Sequence, residues 1–198
     1  MSEPTLSICI ATRNRAAFIG QTLDSILAQI TDEVEVVVVD GASTDNTEQV
    51  MRAYLQRCPR LRYLRLAENG GIDRDYDRAV LEAQGKYCWL FSDDDLLKPG
   101  AIQAALHAIA QGYCLLIVNA EARSADLSTL QQARVLPIGE DRTYGPQDQE
   151  RLFVDAAKYM SFLGCVVIRR DIWLTRERER YYGSAFIHVG VIFQEPLP

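Results

Sequence analysis

Residues 34–47 read VEVVVVDGASTDNT. Five valines in the first six positions suit a strand buried on both faces better than one alternating between core and water. The run stops at Asp40, and Gly41 allows a tight turn. Ser43, Thr44, Asp45 and Asn46 then offer side-chain bonds to that turn and to a helix starting near Thr47, with Asn46 or Thr44 as its cap. A doubly buried strand that runs at once into a helix is the unit of a parallel sheet. Asp40, at the carboxyl end of that strand, is open to two readings: part of a turn and nothing more, or an acceptor for a nucleobase or ribose.

The same unit recurs on both sides. Short β-rich runs occupy residues 6–11, 61–66, 87–92 and 114–119. Between them, apolar residues return at spacings of three and four: Phe18, Leu23, Ile26, Ile30; Val50, Met51, Tyr54; Tyr76, Ala79, Val80, Ala83; Ile102, Ala105, Leu106, Ile109. The class is therefore α/β, a mainly parallel sheet flanked by helices. Beyond residue 120 the regularity fades. Residues 121–149 are polar and broken by Pro137, Gly139, Gly145 and Pro146, with room for a hairpin. A helix over 149–159, a strand over 163–170 and a charged helix over 171–180 follow. The apolar residues 183–198 either pack on the domain or belong to something further. One compact domain is expected, with a regular half over 1–120 and a second region over 121–198.

A second strand end stands out, CWLFSDDDLLKP at 88–99. Three adjacent carboxylates repel one another, and burial of any of them unpaired is costly. A divalent cation relieves this, and an oxygen-only donor set favours Mg²⁺ or Mn²⁺ held together with substrate phosphates. The plainer alternative is a cap on the helix that starts near Pro99. No GxGxxG follows the first strand and no GxxxxGK[ST] occurs, so neither a dinucleotide site nor a P-loop has support.

Composition narrows the class further. With 198 residues, 48% of them hydrophobic, the chain can bury a sizeable core, and its net charge of −6 disfavours nucleic acid as a partner. Arg169, Arg170, Arg176, Arg178 and Arg180 alternate with glutamates and read as a solvated helix face. Five cysteines without ligand spacing read as core residues in a reducing compartment. No secretory leader and no apolar run of membrane-spanning length is visible, so a cytoplasmic protein is expected. Peripheral contact with the inner face of the cell membrane and homo-oligomerisation are both compatible with that.

LSICIATRNRAAFIGQTLDSILAQ, VEVVVVDGASTDNTEQV and NGGIDRDYDRAVLEAQGKYCWLFSDDDLLKPGAI, in this order over residues 6–120, resemble the nucleotide-sugar-binding half of a family 2 glycosyltransferase of the GT-A fold. Within the third of these, GGIDRDYDRAV and YCWLFSDDD look closest to the abequosyltransferase-like members. The resemblance implies a nucleoside-diphosphate sugar donor, a glycan or lipid-linked acceptor, and work in bacterial surface polysaccharide synthesis. By position it implies that Ala11, Thr12 and Arg13 line the nucleobase pocket, that Asp40 bonds the base, and that Asp45 orders the following loop. Asp73 and Asp77 would lie near ribose and diphosphate, and Asp93, Asp94 and Asp95 would form the metal-holding motif. Three departures stand out: Ala11 for the usual Pro, Gly41 for the usual second Asp, and Ser92 for the first Asp of the common DxDD pattern. With Ser92 there, either Asp93 and Asp95 pair on the metal or Asp94 takes that role alone.

An inverting transfer also needs a base near the acceptor hydroxyl. The candidates are Asp141, in the only Glu-Asp pair of the chain, and His188, whose imidazole suits the task near neutral pH. Two other functions fit part of this pattern: a nucleotidyltransferase, which would be expected to show a glycine-rich basic loop where this chain has ATRNRAAF, and a noncatalytic sugar-nucleotide-binding protein.

Overall fold

A computed structural model describes residues 3–198; Met1 and Ser2, the first residues of the N-terminal segment, lie outside the described residues. The apolar runs form β1 Leu6–Thr12, β2 Val34–Asp40, β3 Leu61–Arg65, β4 Tyr87–Phe91 and β5 Leu115–Ile117. The periodic segments form α1 Ile19–Leu27, α2 Thr47–Leu55, α3 Ile72–Glu82 and α4 Ala101–Ala110. One sheet holds all five strands and one more, β8 Val166–Arg169, in the order β3-β2-β1-β4-β8-β5. The first four are parallel, and β8 enters antiparallel between β4 and β5. A small hairpin, β6 Ala122–Arg123 with β7 Leu130–Gln132, stands apart.

Both faces of the sheet are covered, as the valine run requires. Ile8 and Ile10, Val36 and Val38, and Trp89 pack under α1, α2 and α4, while Cys9, Val37, Val39, Cys88 and Leu90 pack on the other face. There they meet α3, α5 Gln149–Ala156, α6 Arg170–Thr175 and α7 Ile187–Phe193. Residues 121–198 thus share the central sheet and core with the regular half. The C-terminal apolar stretch packs on the domain, with Ile187, Val191 and Ile192 fully buried.

The expected charged helix over 171–180 ends at Thr175, and this corrects the reading of its arginines. Arg176 is 5% exposed and donates to the carbonyls of Val191, Ile192, Glu195 and Pro196. Arg170 donates to Val80 O and Leu81 O, and Arg178 to Leu174 O. A helix end leaves carbonyls without intrahelical partners, and a guanidinium with five donors satisfies several at once. Arg170, Arg176 and Arg178 are internal clamps, whereas Arg180 stays on the surface beside Glu177 and Arg169 pairs with the exposed Asp171. The expected strand over 163–170 is likewise shortened, because Leu163–Cys165 forms a 3₁₀ turn before β8 begins.

Candidate active site

The strand order reverses at β1, which has β2 on one side and β4 on the other. In open parallel sheets the crevice at such a point, beyond the carboxyl ends, is where ligands bind. Register places Thr12 opposite Asp40, and Ile10 opposite Phe91, so the ends of β2, β1 and β4 lie side by side. Asp40 is fully buried; its Oδ1 accepts from Ser43 N at 2.7 Å and its Oδ2 from the Tyr63 hydroxyl at 2.6 Å. Burial and the Asp40 charge push that phenol well above its ordinary pKa. The two loops above are knitted together: Asn14 N donates to Ser43 Oγ, and Thr44 N donates to Asn14 Oδ1. Asp45 accepts from Thr47 N, from Thr47 Oγ1 and from Ala16 N, which orders the turn as the resemblance implied. Asn46 and Thr44, the expected caps, make no side-chain bond to α2, because Asp45 already holds the Thr47 amide.

At the end of β4 the three aspartates emerge one after another. The Tyr76 hydroxyl, from α3, donates to Phe91 O at 2.9 Å and fixes the strand just before them. The helix-cap reading fails here: α4 starts at Ala101 behind a left-handed Gly100, and no side chain caps it. Asp93 is 7% exposed, with Arg15 Nε 3.6 Å from its Oδ1. Burial raises its pKa, and the Thr12 hydroxyl and Arg15 oppose the rise. Arg15 Nη2 lies 3.7 Å from Asp94 Oδ2, and Ser92 Oγ donates to Asp94 Oδ1 at 2.5 Å. Ser92 therefore serves as a hydroxyl prop for Asp94. Asp95 is pushed up to about 6, first by burial and then by Asp94 and Asp93. Among the described residues no three acidic, histidine or cysteine side chains converge to cage an ion by themselves.

Helix α3 carries three aspartates with two different fates. Asp73 accepts from Gly183 N and Ala185 N through Oδ2 and from Ile187 N through Oδ1. Asp77 accepts from Trp173 Nε1 and from the Tyr182 hydroxyl, with Arg178 Nε 2.8 Å from Oδ1. Both carboxylates are occupied by protein donors and anchor the C-terminal region to α3, where a place beside ribose and diphosphate was expected. Asp75 lies about 200° around the helix from Asp73 and turns elsewhere. It is 3% exposed, its Oδ1 has no hydrogen-bond partner, and its Oδ2 stands where a Cβ on residue 41 would be. Burial and then Asp40 push Asp75 up to about 6, and Arg13 opposes them. Gly41 thus has a steric reason: any side chain there collides with Asp75. Sequence reasoning passed over Asp75, although two glycines and an acidic first turn marked the helix start.

The two candidate bases sit apart from this group. His188 is a core residue, 1% exposed, with Nε2 2.6 Å from Met160 O and Nδ1 unpartnered. Burial holds its imidazole below the ordinary value. A base must reach the proton it takes, and in this position His188 meets backbone instead, so its expected role is corrected. Asp141 is exposed on the wall of a cleft of about 900 Å³ formed by α4, β5 and residues 133–146. None of Asp40, Asp75, Asp93, Asp94 or Asp95 lines that cleft.

Known proteins resemble this chain in sequence and in fold. The sequence model of Glycosyl transferase family 2 matches residues 7–173. Abequosyltransferase RfbV of Salmonella typhimurium strain LT2 is 34% identical over 94% of this chain and 60% of its own length. A chondroitin synthase of Pasteurella multocida is 32% identical over 62% of this chain and 13% of its own length. In fold, the 1–349 fragment of S. aureus TarS superposes with a TM-score of 0.68 at 22% identity, over 86% of this chain and 48% of the fragment. A mannosyltransferase of Pyrobaculum calidifontis, solved with GDP-Man and Mn²⁺, gives 0.64 at 20% identity, over 99% of this chain and 54% of its own. The chain spans about 60% of the length of the first of these relatives and about half of each of these structures. Sheet order, strand-end aspartates and the family match over 7–173 agree on the GT-A fold, and the chain belongs to glycosyl transferase family 2.

Proposed function

We propose that this chain carries the donor-binding machinery of a metal-dependent glycosyltransferase, which moves a sugar from a nucleoside-diphosphate sugar to a glycan or lipid-linked acceptor in bacterial surface polysaccharide synthesis. One observation carries the reading: Asp40 and the Asp93–Asp95 run emerge on either side of β1, from the carboxyl ends of β2 and β4, and the run caps no helix. The similarity to an abequosyltransferase supports the polysaccharide context, and the Mn²⁺ and GDP-Man bound by the Pyrobaculum enzyme support the pairing of metal with nucleotide sugar.

The residues present fit a hard divalent cation. Asp94 and Asp95 are the proposed ligands, Asp93 standing deeper beside Arg15, and the carboxylate-only donors with their mutual repulsion suit Mg²⁺ or Mn²⁺ completed by substrate phosphates. Bound there, the cation supplies positive charge to the departing diphosphate. The chain itself seats the nucleoside over Ala11 and Thr12 at the end of β1, and Arg15 places a guanidinium next to Asp93 and Asp94. Of the two candidate bases Asp141 alone is exposed, and it keeps that proposed role. No helix among the described residues is long and apolar enough to cross a membrane.

Thermal shift with UDP, GDP, CDP and dTDP, each with and without Mn²⁺, tests the reading. One nucleotide at roughly a hundred times its Kd is expected to raise Tm by about 5–8 °C, only with metal. Silence for all four, with Asp95→Ala indistinguishable from wild type, would sink it.

A further inference from the structure

One buried carboxylate has no task in this account. Asp73 and Asp77 each hold several protein donors, as a structural carboxylate on a helix should. Asp75, between them in sequence, is buried as deeply and leaves Oδ1 without a partner. An unpaired buried acceptor is costly, and such a group in a folded protein calls for an explanation. Asp75 is also pressed towards a like charge, since Asp40 stands close enough to disfavour its ionised form, with only the exposed Arg13 opposing.

Gly41 makes the arrangement possible. Its backbone has no positive φ among the values that mark a glycine-requiring turn, whereas its neighbour Ala42 does, at 60°. The missing side chain at 41 is therefore explained by space. A Cβ there would collide with the Asp75 carboxyl, and Asn69 Oδ1 borders the same space. The chain has cleared room next to the β2 carboxyl end and filled it, from α3, with a hydrogen-bonding group that no protein donor satisfies.

We propose that Asp75 is a specificity-determining residue of the donor pocket, whose carboxyl, seated in the room that Gly41 leaves beside Asp40, accepts a hydrogen bond from an N–H or O–H of the nucleoside. The assignment rests on the donor-nucleotide reading above. A ligand donor placed there satisfies Oδ1 and screens Asp75 from Asp40, so the penalty stored in the free protein is released on binding. The donor belongs either to a base edge or to a ribose hydroxyl, two sources of one chemistry.

Isothermal calorimetry on the whole chain with Mn²⁺ tests this, using UDP, CDP, GDP and dTDP, the 2′-deoxy forms of the first three, and inorganic pyrophosphate as a probe without a nucleoside. Asp75→Asn is expected to weaken the preferred nucleotide about tenfold or more, with the ranking among bases flattened where the donor is a base edge, while pyrophosphate stays within about twofold. Equal loss with ribo and deoxy forms assigns the donor to the base; loss confined to ribo forms assigns it to the sugar. Unchanged nucleotide affinities in Asp75→Asn, or equal loss for nucleotide and pyrophosphate, would overturn the assignment alone. A wild-type chain that binds neither nucleotide nor pyrophosphate would instead overturn the donor-nucleotide reading. Should Asp75→Asn fail to fold, Asp75→Ala combined with Gly41→Asp returns a carboxylate to the same space from the β2 side. Restored nucleotide affinity supports the assignment, and its absence overturns it.

Discussion

Glu35 and Asp75, buried at opposite ends of the parallel sheet, are treated in opposite ways. At the amino end Glu35 is 4% exposed and fully employed: Oε1 accepts from Ser7 Oγ and from Gln84 N, both at 2.6 Å, and Arg62 Nη1 lies 3.7 Å from Oε2. Ser7 Oγ accepts in turn from Gly85 N. This network ties β1, β2 and the α3–β4 connection together. At the carboxyl end Asp75 lacks a partner for one oxygen, and Asp95 has like charges beside it. Glu35 is saturated by the fold, whereas Asp75 and Asp95 are left in want of a partner, while Asp40, at the same end as they are, has two protein donors.

The largest expected effect breaks the saturated end. Glu35→Ala leaves the Ser7 hydroxyl and the Gln84 amide without their acceptor and is expected to cost about 3–4 kcal/mol, read as a lowered urea midpoint at unchanged slope. Asp95→Asn, at the other end, removes repulsion and is expected to leave stability equal or raised by about 0.5–1 kcal/mol, while the Mn²⁺-dependent shift with nucleotide disappears. If both variants lose the same stability, the contrast between the two ends is wrong.

Next in size is the steric pair at residues 41 and 75. Gly41→Ala is expected to cost about 2 kcal/mol in the wild-type background and close to nothing when Asp75 is also Ala, a coupling of about 2 kcal/mol in a double-mutant cycle. Additive values would show that Gly41 answers to its own backbone rather than to Asp75.

A pH series sharpens the same point. Asp75 is pushed up to about 6 by burial and Asp40, against Arg13, so the folded state binds its proton more tightly than the unfolded chain does. Its contribution is full below the unfolded value near 4 and is lost as pH rises through about 6. Stability is therefore expected to increase on going from pH 7 to pH 4.5 by about 1–2 kcal/mol from this group, and Asp75→Asn should flatten that slope. An identical slope in the variant would place the charge of Asp75 in a solvated setting.

What could be read from the chain alone follows the same division. The valine run of β2 and the helical spacings were legible because a doubly covered parallel sheet leaves its mark in continuous apolar stretches. Asp40 and Asp93 to Asp95 were legible because like charges at strand ends violate the ordinary economy of a core. Asp73, Asp75 and Asp77 look alike in sequence, and what separates them is the rotation of α3 against its neighbours. Asp73 and Asp77, about 40° apart on the helix, share a face that meets the segments around Trp173 and Gly183, whereas Asp75 faces Gly41. The arginine run was misread for a related reason. Alternating charge signals a wet helix, but the helix stops at Thr175, and the Arg170 and Arg176 guanidiniums turn inward to carbonyls contributed by residues 80–81 and 191–196. Local pattern records which groups need partners; which partners they find depends on contacts across 15 to 114 positions of chain.

The smallest expected effect concerns Arg15, the cation nearest the trio. Its side chain is 43% exposed and stands 3.6 and 3.7 Å from Asp93 and Asp94, at the long end of an ion pair. Water screens such a contact, so Arg15→Gln is expected to shift stability by no more than about 0.5 kcal/mol, measured by urea unfolding without metal. That small value matters to the comparison. If the guanidinium neutralised the aspartates, its loss would expose their repulsion and cost several times as much, and the carboxyl end would count as satisfied by the fold after all. A near-silent Arg15→Gln in the free protein, with Mn²⁺-dependent pyrophosphate binding measurably weakened, means that the charge at the end of β4 is met by what binds there, and that Arg15 acts on the bound anion rather than on the folded chain.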